Sequence, residues 1–411
     1  MFRVSSTETI KPSSPTPAQL ATFKLSLMDN LVPPLYVPFI FFFYPAPAST
    51  GSKPGERETI FDTLRSSLAQ TLTRFYPLAG RYVNEAGSVP AVHCNDEGVP
   101  FTSATVDGDI NGSSLAEFLR RRVEIDSLTQ FLPFPADFVS DLESAPQIGF
   151  RATAFPCGGL AIGVCFLHKI IDAATLADFM KLWSAVARSE EKTASAAVGG
   201  GAYAHNLAGT SLLPLRHDDV PAAAEDFAGK KGKMLTRRLA FNEEAIHALK
   251  AKAKSDRIPN PSRTEAVGGF LWKHVMSAAA RSAASPDARS VVSIAGKLQG
   301  KDGRQEYMRN LEGLWKPEIT IGAVKNECII VPLTISSTIG MRLYDVDFGW
   351  GKPAWVTMAR FRDPISNAAM LLQSPVGYGV EVWLTLPEKE MDILEQEAEF
   401  LTYAKNNISV L

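Results

Sequence analysis

Apolar residues change their spacing several times along the chain, and each change marks an element. Over residues 57–74, Ile60, Phe61, Leu64, Leu68 and Leu72 recur at intervals of three and four, which predicts an amphipathic helix. The following PLAGRYV turns into a strand. Residues 148–167, IGFRATAFPCGGLAIGVCFL, read as two apolar strands around a Cys-Gly-Gly turn, and the second runs directly into His168. From Ala174 to Val186 the apolar side chains Leu176, Phe179, Met180 and Trp183 return to helical spacing. The segment HKIID therefore bridges a strand and a helix.

Upstream, LATFKLSLMDNLVPPLYVPFIFFFYP mixes apolar pairs with Pro and Asp, as a strand after a turn does, and is expected in the first sheet. Residues 189–211 are rich in Ala, Gly and Ser with no apolar period, which predicts an interdomain linker. Beyond them come a strand (KMLTRRLAF), a helix (NEEAIHALKAKAK), a second helix (RTEAVGGFLWKHVMSAAARS) and later strands around DFGWG and YGVEVWLTLP. The expected division is a domain over 1–188, a linker over 189–211 and a domain over 212–411. A length of 411 residues exceeds what one ordinary core organises and agrees with two domains. No repeat of 20–50 residues is apparent.

Composition narrows the function classes. Hydrophobic residues make up 45% and charged residues 21%, an ordinary globular balance. A formal net charge of −2 offers no basic excess for a run of phosphates, which argues against nucleic acid. The N-terminus lacks an apolar signal core, and the most apolar stretch is cut by prolines and far shorter than a membrane span. Cys94, Cys157, Cys165 and Cys328 show no CxxC spacing, so neither a disulfide framework nor a zinc site is indicated, and a cytoplasmic location is expected.

The candidate chemistry centres on His168. An imidazole titrates near pH 6.5, so at neutral pH it is largely unprotonated and accepts a proton from an alcohol as a general base. Asp172 lies four residues on, but the strand-to-helix turn between them frees it to face elsewhere. By spacing alone the signal is weak, and a buried, hydrogen-bonded histidine at a strand end is the better reading. A metal site needs further ligands, and no HxH or HExxH is present. A serine hydrolase needs a nucleophile elbow, and no GxSxG is found. Cys157 and Cys165 lie in apolar runs, where a thiol is usually packing.

HKIIDAATLADFMKLW, followed some 180 residues later by DFGWGKPAWV, resembles the BAHD acyltransferases, plant enzymes that move acyl groups from CoA thioesters to alcohols or amines. LSLMD, RFYPLAGRYV, HCNDEGVPF, FPCGGLAIGV, SRTEAVGGFLWK, GVEVWLTLPEKEM and EFLTYA extend the resemblance over nearly the whole chain, toward the branch of alkaloid and small-alcohol acetyltransferases. The resemblance implies an α/β fold similar to chloramphenicol acetyltransferase: two domains, each a mixed sheet with flanking helices, and a channel between them. It implies His168 as the base, acyl-CoA (acetyl-CoA) as co-substrate with no bound cofactor or metal, a small-molecule alcohol acceptor, and a monomer. Asp172 is then a structural residue paired with an Arg on a later strand, and Asp347, Phe348, Gly349, Trp350 and Gly351 lie away from the histidine. Read without the family, DFGWG is a glycine-permitted turn packed by Phe348 and Trp350.

The chain also departs from the family pattern. Gln299 stands where the partner Arg is expected, with Lys297 and Lys301 as possible substitutes, and Arg, Gln and Lys are not equivalent against a carboxylate. The stretch from Lys301 to Leu343 is about thirty residues short, enough to remove a strand and a helix. Ala173 and Thr175 replace the usual Gly and Ser. These departures motivate two alternatives: a binding module that keeps the fold without turnover, and an enzyme repurposed for elimination or cyclisation.

Overall fold

The computed structural model describes residues 2–26, 29–30, 32–45, 54–84, 88–106, 114–121, 123–190, 233–283, 289–295, 330–362, 365 and 367–406. The chain divides into two compact units: Met1–Gly229 with Met341–Ile365 and Asn407–Leu411, and Lys230–Gly340 with Ser366–Asn406.

In chain order the first unit holds β1 (Phe2–Ile10), β2 (Thr22–Lys24), β3 (Tyr36–Phe43), α1 (Pro54–Arg74), β4 (Arg81–Val83), β5 (Ala91–His93), β6 (Val99–Val106), α2 (Leu115–Arg120), β7 (Ile148–Ala154), β8 (Leu160–Leu167) and α3 (Ala173–Ala187). The second unit starts with β9 (Met234–Phe241), α4 (Glu243–Ala253), α5 (Arg263–Ala283), β10 (Arg289–Ala295) and β11 (Ile330–Ser337). The chain then returns to the first unit for β12 (Trp355–Thr357). It ends in the second with β13 (Ala368–Gln373), β14 (Val380–Pro387), α6 (Glu388–Leu394), α7 (Ala398–Tyr403) and β15 (Lys405–Asn406).

Among the described residues, the first unit has a six-stranded sheet in the order β1-β6-β7-β8-β3-β12 and a three-stranded sheet β2-β5-β4. The pair β6–β7 is parallel and the other neighbours in the large sheet are antiparallel. Every residue of β3 and β8 is buried, which is why both read as continuous apolar runs rather than alternating ones. Their register sets Tyr36 opposite Leu167 and Phe43 opposite Leu160. Helix α3 lays Trp183 against α1, where its indole N–H reaches Leu64 O (3.2 Å) and Ser67 Oγ (3.0 Å). A fully buried indole needs such an acceptor to offset the loss of water.

The second unit has a six-stranded mixed sheet in the order β10-β11-β13-β14-β9-β15. One face carries Leu239, Phe241, Leu333, Ile335, Val380, Val382 and Leu384, packed against Ile246 and Leu249 of α4, Val267 and Leu271 of α5, and Met391 and Leu394 of α6. Two mixed sheets with flanking helices are the expected fold class.

Three details differ from the sequence reading. The polar start forms β1, an edge strand paired with β6. The LATFK segment splits, since residues 22–24 join the small sheet while only Tyr36–Phe43 enter the large one. DFGWG belongs to the first unit, not to the domain expected over 212–411, because β12 pairs antiparallel with β3. The linker expected over 189–211 lies outside the described residues except for residues 189–190.

Candidate active site

His168 follows directly on the last residue of β8. Its backbone N–H donates to Leu35 O at 2.9 Å, and the N–H groups of Ile170 and Ile171 both donate to Leu167 O at 3.0 Å, closing a tight turn. Ile170 and Ile171 are buried and anchor that turn in the core. The imidazole is half-buried, with its ring 6.3 Å from that of Phe166. Nδ1 is buried and has no hydrogen-bond partner among the described residues.

Asp172 caps α3. Its backbone is extended and its Oδ1 accepts the Thr175 N–H at 2.7 Å, so one of the orphan donors of the first turn is satisfied. Asp172 is solvent-exposed and serves the helix end, while His168 sits on the turn before it. Ala173 is the first helical residue, where a methyl group carries no conformational penalty. The expected Arg partner of Asp172 concerned positions 297–301, and the shortened stretch runs over 301–343. Positions 297–301 and most of that stretch, residues 301–329, lie outside the described residues.

Sequence reasoning missed the neighbour of the histidine. Lys169 is buried, and its Nζ reaches Asn30 O (3.0 Å), Asp29 O (3.4 Å) and Val32 O (3.4 Å). Burial pushes its amine down to about 8, with the nearby Asp29 acting in the opposite direction. Asp29 turns its Oδ2 to the N–H (2.7 Å) and Oγ–H (2.8 Å) of Ser26. Burial raises the Asp29 carboxyl, and those Ser26 bonds partly oppose the rise. The available signal was LSLMD, whose Ser26 and Asp29 the fold brings beside HKIID.

DFGWG lies at the other end of α3, a helix about 22 Å long at 1.5 Å per residue. Asp347 Oδ1 accepts the N–H groups of Gly349 (2.7 Å) and Gly351 (3.0 Å). Both glycines have φ near +100° (99° and 98°), a conformation that side chains disfavour. Phe348 is buried, edge-on to Trp183 (5.0 Å) and Phe43 (5.8 Å), and Trp350 stacks on Phe348 at 5.5 Å. The five residues thus form a packed turn, and none of them is at the histidine.

Among the described residues no group of three or more His, Cys, Asp or Glu side chains is placed to hold a metal ion. Cys165 is fully buried, burial raises its thiol strongly, and Sγ donates to Phe134 O at 3.4 Å. Cys157 Sγ accepts the Leu115 N–H at 3.3 Å. No described helix is long and apolar enough to cross a membrane.

A strand-end histidine in a two-unit α/β fold of mixed sheets defines a class, and the comparisons identify it. A family model described as the Transferase family matches residues 1–311 and 298–401. Akuammiline synthase 2 of Alstonia scholaris is 31% identical over 99% of this chain and 97% of its own length. Vinorine synthase of Rauvolfia serpentina is 32% identical over 95% of this chain and 96% of its own. Stemmadenine O-acetyltransferase of Catharanthus roseus is 30% identical over 99% of each. The crystal structure of vinorine synthase covers 100% of both chains with a TM-score of 0.75 at 27% identity. The chain belongs to the BAHD acyltransferase family and is an acyl-CoA-dependent O-acyltransferase.

Proposed function

We propose that this enzyme transfers an acetyl group from acetyl-CoA to a hydroxyl of a plant specialised metabolite, an alkaloid by the branch it resembles, with His168 as general base. The observation that carries this reading is the placement of His168: a half-buried imidazole on a turn fixed by three backbone hydrogen bonds, with Nδ1 buried in protein. Burial of Nδ1 leaves Nε2 as the nitrogen for the substrate. The names of the relatives support the donor and the acceptor class, since stemmadenine O-acetyltransferase is among them.

In this mechanism Nε2 removes the proton as the acceptor oxygen attacks the thioester carbonyl. The tetrahedral intermediate collapses, the C–S bond breaks, and the imidazolium returns the proton to the departing CoA thiolate. The acyl group moves directly from sulfur to oxygen, with no covalent enzyme intermediate. We further read the protein as a cytoplasmic monomer, in keeping with the free thiols of Cys94, Cys157 and Cys165.

The test is acyl transfer from acetyl-CoA, followed as thiol release against a panel of plant alcohols, with His168→Ala in parallel. Loss of a positioned general base lowers turnover by about 10²–10⁴-fold. A His168→Ala variant with undiminished turnover would overturn the assignment.

A further inference from the structure

The turn that carries His168 is tied to residues 26–35 at two points. One is the backbone bond from the His168 N–H to Leu35 O. The other is Lys169, whose ammonium faces the carbonyls of Asp29, Asn30 and Val32. An ammonium has three donors and no acceptor, so three carbonyls match its full capacity. The side chain is only 7% exposed, and taking a cation out of water is costly even when its hydrogen bonds are met. A methionine of similar length would fill the same space without that cost. The charge therefore calls for a purpose other than packing.

We propose that Lys169 is a positioning residue for acyl transfer: by clamping the carbonyls of Asp29, Asn30 and Val32 it holds Leu35 O beneath the His168 N–H and fixes the imidazole. The inference rests on the reading of His168 as the base. The clamp joins two segments more than a hundred residues apart in sequence, and its grip falls three to six residues before Leu35, whose carbonyl is the imidazole's backbone anchor. Misplacement of a catalytic group by about 1 Å costs about 10²-fold in rate, so the clamp acts on turnover more than on substrate affinity.

The charged group beside the ammonium is Asp29 on the clamped segment, which in turn feels Asp172 at the start of α3. Tyr36 and Cys165 of the adjoining strands stay protonated, since burial raises both.

The experiment uses full-length protein with isotope-labelled histidine, the His168 ring signal being assigned by its absence in His168→Ala. Lys169→Met displaces this signal from its wild-type position, and Lys169→Arg displaces it less. With acetyl-CoA and an accepted alcohol, Lys169→Met loses about 10- to 100-fold in kcat with KM within about twofold, and Lys169→Arg recovers part of it. A His168 signal and a kcat that are the same in wild type and Lys169→Met overturn the proposal. If Lys169→Met does not fold, Lys169→Arg decides, because a planar guanidinium cannot reproduce the ammonium's contact with three carbonyls: an unchanged His168 signal in it overturns the clamp. The ring signal needs no turnover, so an inactive wild type would count against the base and leave the clamp to be decided separately.

Discussion

Asp172 Oδ1 accepts the Thr175 amide at 2.7 Å, so the aspartate of HKIID spends its carboxylate on a helix end rather than on the imidazole four residues earlier. Asp172→Ala should therefore lower stability by about 1 kcal/mol, and Asp172→Asn by only a few tenths, about 0.3 kcal/mol. Urea denaturation of the two variants measures the difference. Equal losses would show that charge, not capping, is what the position supplies.

Gly163 in β8 and Gly269 in α5 give opposite expectations for the same substitution. A Cβ on Gly163 would stand 1.8 Å from Phe131 O, and a backbone carbonyl cannot step aside cheaply, so Gly163→Ala should fail to give folded protein. A Cβ on Gly269 meets nothing within 4 Å on an exposed helical face, so Gly269→Ala should raise stability by about 0.5–1 kcal/mol. Soluble yield and thermal melting of both variants test the pair.

Lys169 makes a definite contribution to the pH dependence of stability. Its amine is depressed to about 8 in the folded state from an ordinary value of 10.5, so between those values the unfolded chain binds more protons. Stability from this group therefore rises with pH across that window. The stability gap between Lys169→Met and wild type should shift by the same sign: wild type gains on the variant as pH goes from about 8 to 10, read from denaturant midpoints at several pH values.

Cys165 should behave as an inert core thiol. Buried and raised above the ordinary thiol range, it should resist a maleimide in the native protein and react after denaturation. Cys165→Ala should retain turnover within a few-fold of wild type. Loss of turnover in a variant of unchanged stability would reopen the thiol as a nucleophile.

Much of the fold is legible in the chain because periodicity and burial coincide. The three- and four-residue spacing through Ile60, Leu64, Leu68 and Leu72 becomes α1, and the two runs around Cys157-Gly158-Gly159 become β7 and β8. His168 could be placed at a strand end for the same reason. What stayed hidden depends on partners distant in sequence. Six of the nine residues of strand β1 are Ser, Thr or charged because it is an edge strand, half-exposed or exposed throughout, and only its pairing with β6 makes it a strand. Lys169 reads as a surface lysine until residues 29–32 supply its carbonyls. DFGWG reads as part of the second half of the chain until Trp355 pairs with Phe42.

That last pairing has a consequence for biosynthesis. Strand β3 is the Phe-rich run YVPFIFFF, and its outer edge is covered by β12, which follows it by more than three hundred residues. At about 5–20 residues per second, a ribosome leaves that edge bare for roughly 15–60 s. During this interval the nascent chain displays one unpaired edge of a buried, Phe-rich strand, the kind of template that recruits other chains. Any truncation before Trp355 would make the interval permanent, so C-terminally shortened forms are expected to depend on chaperones or to be lost to aggregates.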